Sequence, residues 1–399
     1  MHVNTAKKTI VALVFILIIG LWCNFGSATD NLPNYWPTKG WRTASPESQG
    51  MDSTLLVEML DTIWEKEIEI HSVLVIRNGF IVLDAYGYPF DSEVAHHIDA
   101  CTQSITSALV GIAIDKRYIK DVNQPVLKFF PRRVAKHLDA AKEAMTIENL
   151  LTMTTGFKCR DPFLYLQSGM LDMIIPADWR MSADWVQFII DLPMADSPGT
   201  RYQYCNGAPF LLSAILQKQT VMNALSFAQK NLFGPLGIAE VGWPSNPQGI
   251  TLGYGHLFMR PHDMAKIGYL YLNNGLWDGQ QIISSQWIKA STSKYIDTTL
   301  LPGYGYHWWV ASPGIYTAAG NKGQFIMVMP KKNVVAVFTG GLSPQDFLIP
   351  LDMLVSYIIP AAKSKAPLPE NINAEKSLKS KTILWQNTSP SERQKLKKN

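Results

Sequence analysis

The chain has 399 residues, enough for one large domain or two smaller ones with a sizeable core. Apolar residues make up 47% and charged residues 17%, a globular composition that excludes an extensively disordered chain. The formal net charge is +4, but nine Lys/Arg against three Glu lie from Ala361 onward, so the remainder is slightly acidic and carries no nucleic-acid footprint.

In chain order, Lys7-Lys8 precede an apolar run from Ile10 to Cys23, followed by Gly26-Ser27-Ala28. The run is shorter than the roughly 20 residues that span a bilayer. This pattern predicts a signal peptide over 1–28 and an exported protein, periplasmic or secreted, with an uncleaved anchor as the alternative. The mature cysteines are Cys101, Cys159 and Cys205. An oxidising compartment allows one pair among them, and the sequence leaves all three pairings open.

Asp52-Ser53 can cap a helix from Thr54 to about Lys66, with Leu55, Leu56, Met59, Leu60 and Ile63 on one face. Residues 72–76 and 80–86 flank Asn78-Gly79, the signature of a hairpin. From Ala100 to about Ile288 the pattern is mainly helical, including Gly207 to about Thr220 and His262 to Leu272. Strand patterns return at 305–310, 324–329 and 334–338, and a helix closes the body over roughly 347–359.

Strands joined by tight turns are antiparallel. The expected fold class is therefore α+β: an antiparallel sheet built from both chain ends, flanked by helices, with a mainly helical region inserted. The body spans 29–362, its sheet part about 45–95 and 296–362 and its helical part about 96–295. A basic tail over 363–399 is expected to be loosely ordered.

The stretch from Ala100 to Asp115 begins with small and hydroxyl residues and then turns almost wholly apolar. It reads as a buried helix whose free N–H groups face a cleft. Two later segments suit that cleft: Pro198-Gly199-Thr200-Arg201-Tyr202-Gln203-Tyr204-Cys205-Asn206-Gly207 leads into a helix, and Ala318-Ala319-Gly320-Asn321-Lys322-Gly323-Gln324 opens a strand.

These segments, in this order, resemble the serine β-lactamase and penicillin-binding-protein superfamily. The likeness is to its class C-like branch, similar to 6-aminohexanoate-dimer hydrolases and related esterases. It runs from about Ser45 to Ile359, supported by Leu150-Leu151-Thr152-Met153-Thr154-Thr155-Gly156, Asp263-Met264-Ala265-Lys266-Ile267-Gly268 and Gly303-Tyr304-Gly305-Tyr306-His307-Trp308-Trp309. The resemblance implies a Ser-x-x-Lys pair at the helix start, a Tyr-x-Asn segment, and a Gly-containing strand end. Its serine attacks, its lysine and tyrosine move the proton, its asparagine holds a substrate amide, and backbone N–H groups hold the oxyanion.

Ser104-Ile105-Thr106-Ser107-Ala108-Leu109-Val110-Gly111 sets the register. It places Ala100 at the nucleophile position and Gln103 at the lysine position, so both are vacant. Tyr204 matches the proton-transfer position, with Asn206, Gly320 and Asn321 at substrate-binding positions. Losing such a nucleophile alone costs on the order of a million-fold in turnover.

The favoured expectation is a non-catalytic pseudo-hydrolase that binds a peptide, amide or cell-wall fragment. One alternative is an ester or amide hydrolase with relocated chemistry, through Cys101 or an activated water. Another is an interaction protein with a closed cleft. No cofactor or metal is expected, since His96-His97 lack a third ligand at metal spacing. The partner is a small molecule or peptide and not a nucleic acid, with membrane contact only through the leader or the basic tail. Arg160-Asp161 suggest an ion pair, and alternation at Trp308-Trp309 puts one ring in the core and leaves the other for the cleft.

Overall fold

Strands from both ends of the chain meet in one eight-stranded sheet. The computed structural model describes residues 33–159, 182–312 and 314–396. The leader over 1–28 and the Arg160-Asp161 pair lie outside them. The early strands are β1 (Arg42–Thr43), β2 (Ile70–Arg77) and β3 (Phe80–Tyr86). Asn78 and Gly79 turn β2 into β3 with left-handed φ of 51° and 81°, the twist a two-residue hairpin loop requires.

A short pair sits apart from the main sheet, β4 (His96–His97) against β5 (Phe258–Met259). The late strands are β6 (Gly303–Tyr304), β7 (Trp309–Ser312), β8 (Ile315–Gly320), β9 (Gln324–Met329) and β10 (Val334–Gly340). The sheet order is β1-β3-β2-β10-β9-β8-β7-β6. The β2–β10 pairing, with Leu74 opposite Val337, joins the two chain ends. Only β1 runs parallel to its neighbour, β3. The α+β expectation therefore holds.

The central strands are apolar on both sides because both faces are covered. Leu74, Ile76, Ile326, Val328, Val335 and Val337 face the helical region. Val73, Val75, Phe325, Met327, Ala336 and Phe338 face the opposite layer. That layer contains α1 (Ser53–Glu65), whose Asp52 cap accepts the Thr54 N–H at 2.9 Å. On the helical side α2 (Cys101–Asp115) is buried from Cys101 to Ala113, its apolar second half filling the core. It packs on α4 (Gly207–Thr220) and on β8. Between them in sequence is α3 (Ile147–Leu151), closed by a Thr146–Asn149 capping box. The sheet is covered by α5 (Pro261–Leu272), which packs on β9 and β10.

Three expectations need correction. Residues 305–310 are not one strand: His307 adopts a left-handed φ of 58° and the chain reverses between β6 and β7. The closing helix begins as α6 (Ile349–Met353) and passes through a wider turn before ending at Ala361.

The third correction concerns the tail, which is not loose throughout. Residues Ile372–Asn387 form α7, packed on α1 and β3 through buried Leu378 and Trp385. The Trp385 carbonyl accepts the Tyr88 N–H at 3.1 Å, and Lys381 pairs with Asp61. Leu378 and Trp385 are two helical turns apart, so a polar helix can dock by one narrow stripe. Trp385→Ala should lower unfolding free energy by about 3 kcal/mol in urea titrations. A change under about 0.5 kcal/mol, the usual effect of a surface substitution, would show that the stripe does not hold the helix. Among the described residues no helix is long and apolar enough to cross a membrane.

Candidate active site

The polar first turns of α2 are bonded to surrounding backbone. Ser104 Oγ donates to the His307 carbonyl at 2.6 Å, and Thr106 Oγ1 to the Gly253 carbonyl at 2.8 Å. Thr102 Oγ1 donates to the Asp99 carbonyl at 2.6 Å. These bonds fix the rotation of the helix and therefore which side chains meet the cleft.

Gln103 is the polar centre. The residue is 2% exposed, and the two protons of its Nε2 are shared among the Tyr204 hydroxyl, Asn206 Oδ1 at 3.3 Å and the Tyr254 carbonyl at 3.2 Å. The sequence thus anticipates the meeting of Gln103, Tyr204 and Asn206, although their motifs are a hundred residues apart. Tyr204 and Asn206 immediately precede α4, and Cys205 between them is tied to Cys159 by a disulfide. That bond holds the Tyr204 loop to the segment after α3.

Gly320 ends β8 flush against the start of α2. A Cβ there would fall 2.3 Å from the Ile98 carbonyl oxygen and 3.1 Å from the backbone nitrogens of both Ala100 and Cys101. No side chain fits. Asn321, the next residue, accepts its neighbour's Lys322 N–H with Oδ1 at 2.9 Å. Ala100, Tyr204, Asn206 and Asn321 all retain partial solvent exposure, so the residues expected to line a cleft do reach solvent.

Cys101 does not join them. It is fully buried, unpaired, and donates its thiol to the Gln324 carbonyl at 3.2 Å. Burial, reinforced by the Asp99 charge, pushes the thiol well above its ordinary pKa. A nucleophile needs an accessible thiolate, so Cys101 is removed as the alternative nucleophile.

Burial, followed by the Asp99 charge, also raises the Tyr204 hydroxyl, partly offset by its bond to Gln103. Tyr204 therefore stays protonated at neutral pH and acts as a donor and acceptor of hydrogen bonds. Trp308 is in the core while Trp309 is partly exposed, packed edge-on against Tyr202 and Tyr304 at 5.9 and 4.9 Å.

Three nearby contributors lie outside the sequence motifs: Asp99, the Tyr254 carbonyl and His256. His97 Nε2 lies 3.1 Å from His256 Nδ1, and His97 Nδ1 lies 4.0 Å from Asp99 Oδ2. A backbone carbonyl leaves no compositional signal, and His256 could be suspected only once its left-handed φ of 65° is known. Among the described residues no group of three His, Cys, Asp or Glu side chains is placed to hold a metal.

The Beta-lactamase family profile matches residues 57–346, well over half of the chain. The 6-aminohexanoate-dimer hydrolase of Paenarthrobacter ureafaciens is 22% identical over 282 residues, covering 66% of this chain and 70% of that protein. The octameric penicillin-binding protein homologue of Pyrococcus abyssi superposes with a TM-score of 0.60 at 19% identity, over 78% of each chain. EstCE1, described as a hydrolase with promiscuous acyltransferase activity, superposes at 0.62 and 13% identity, over 76% of this chain and 99% of its own. At such identities the two structures establish a shared fold, and with the profile match they show that this chain belongs to the Beta-lactamase family.

Proposed function

We propose that this protein is a non-catalytic family member whose cleft binds a peptide, amide or cell-wall fragment without turning it over. The observation that carries the reading is the Gln103 amide, bonded to Tyr204, Asn206 and the Tyr254 carbonyl at the point where the family resemblance calls for a lysine. A carboxamide does not titrate at ordinary pH and cannot relay a proton. Ala100 offers no nucleophile, and burial takes Cys101 out of play. Asn206 and Tyr204 supply hydrogen bonds to an amide, and the partly exposed Trp309 packs edge-on against Tyr202, two residues before Tyr204.

The compartment belongs to the same proposal. Residues 1–28 act as an export leader and the protein works outside the cytoplasm. The Cys159–Cys205 disulfide supports this, because such bonds persist in oxidising surroundings.

A panel of acylated dipeptide amides and soluble muropeptides tests the reading by calorimetry. Saturable binding, about tenfold weaker in Asn206→Ala and with the ligand recovered intact, is expected; a lost buried hydrogen bond is of that size. Hydrolysed ligand would restore a working hydrolase, and no binding at all would favour a closed cleft.

A further inference from the structure

The Gln103 amide has a direction, and a backbone group fixes it. The Tyr254 carbonyl 3.2 Å away only accepts hydrogen bonds, so the atom facing it is the nitrogen of the amide and not its oxygen. The Asn206 amide must then turn its Oδ1 to the same nitrogen, at 3.3 Å, and the Tyr204 hydroxyl accepts from it as well. Three acceptors share the two protons of Nε2, so none is left for a ligand.

The consequence lies on the outer side of both partners. With Oδ1 turned to Gln103, Asn206 points Nδ2 the other way, because both atoms branch from one carbon. A Tyr204 hydroxyl that accepts from Gln103 keeps its own proton to give. Among the described residues no acceptor is placed on Nδ2 or on that proton, and both residues keep partial solvent exposure. Their oxygens share one nitrogen, so the two outward donors stand side by side.

We propose that Gln103 is the positioning residue that sets the hydrogen-bond polarity of the cleft: it turns Tyr204 and Asn206 to the ligand as donors, so the cleft selects its ligand by an acceptor oxygen, the carbonyl of an amide or an ester, and disfavours a group with only N–H donors in that place. The inference rests on the cleft being a ligand site. A lysine at position 103 would impose the same polarity, since an ammonium only donates. Glutamine therefore removes the proton relay and keeps the recognition.

The first test needs no ligand. In NMR of the full chain, the Gln103 side-chain N–H protons should exchange with solvent more slowly than those of Asn206. Exchange as fast at Gln103 as at Asn206 would overturn the proposal.

The second test titrates benzamide and benzamidine, isosteres that differ by a carbonyl oxygen against a protonated nitrogen. Benzamide should bind at least about tenfold tighter, the scale of one hydrogen bond left unmade at a buried site. Asn206→Asp keeps an oxygen for Gln103 and replaces the outward donors with an acceptor, so the preference should reverse. Gln103→Met frees the Asn206 amide to turn either way and should narrow the preference, whereas Gln103→Lys should retain it. A merely structural Gln103 would shift both affinities alike. Equal affinities in the unmodified protein, or an unchanged preference in Asn206→Asp, would overturn the proposal. If neither fragment binds, the exchange rates decide alone. Hydrolysis of a peptide ligand would contradict the proposed function, while the exchange rates would still decide the polarity.

Discussion

Acidification from about pH 7 to about pH 4 is expected to strip several kcal/mol of stability before most carboxylates titrate. Three histidines are the cause. Burial lowers His71 to about 4, with help from the His96 and Lys322 charges. Burial alone lowers His96 to about 4 and His307 to about 3. Among the described residues His71 Nδ1, His96 Nε2 and His307 Nε2 are buried without a hydrogen-bond partner, so an added proton has nowhere to bond.

The sign follows from linkage. An unfolded histidine takes up its proton near pH 6.5, whereas these native ones resist until about 4 or 3. Between those limits the unfolded chain binds more protons, so stability falls as pH falls. It is fully present above the unfolded value and is lost across the window down to the folded values. Roughly 1–3 kcal/mol per histidine is a fair scale, discounted for the partial exposure of His71.

Urea midpoints measured across this range should decline, and His96→Phe should flatten the decline. Phenylalanine keeps the ring packing of His96 against Phe90, now at 4.8 Å, and removes the titration. A flat profile between about pH 6.5 and 4 would contradict the account.

The second large effect is expected at Lys142, which has no exposed surface at all. Its ammonium donates to the Lys136, Ile190 and Leu192 carbonyls at 2.6, 3.0 and 2.7 Å. Three donors meet three acceptors, which is the full capacity of an ammonium. This one side chain ties the segment before α3 to the chain that leads toward the Tyr204 loop. Lys142→Met keeps the stem but leaves the buried Ile190 and Leu192 carbonyls unanswered, each worth about 1–3 kcal/mol, and frees the more accessible Lys136 carbonyl. A loss of at least about 3 kcal/mol is expected in urea unfolding, against near-neutrality for an exposed lysine such as Lys120. A loss under about 1 kcal/mol would mean that water replaces the ammonium.

What the sequence discloses here follows local chemistry. The Asn78-Gly79 hairpin, the Asp52 cap and the burial of α2 are written in turn residues, a side-chain cap and an apolar run from Ala108 to Ile114. The meeting of Gln103, Tyr204 and Asn206 was legible because each sits at an element start that carries its own motif.

The rest depended on information that no local pattern carries. Lys142 in a polar stretch looks like any solvated lysine until the Ile190 and Leu192 carbonyls, some fifty residues on, converge on it with the nearby Lys136 carbonyl. Cys101 sits beside a vacant motif position, and only helix rotation shows that its thiol faces the Gln324 carbonyl and not the cleft. The cysteine pairing was open because spacing does not select Cys159–Cys205. The tail helix was hidden by lysine and serine content, although Leu378 and Trp385 at seven-residue spacing were its signal.

The central claim is that the family's cleft persists here without its covalent chemistry. Intact-mass measurement of the purified, unmodified protein after incubation with a fluorophosphonate and with a β-lactam tests it most directly. The account predicts an unchanged mass with both reagents. A stoichiometric adduct with either, mapped to a residue of the cleft, would contradict it.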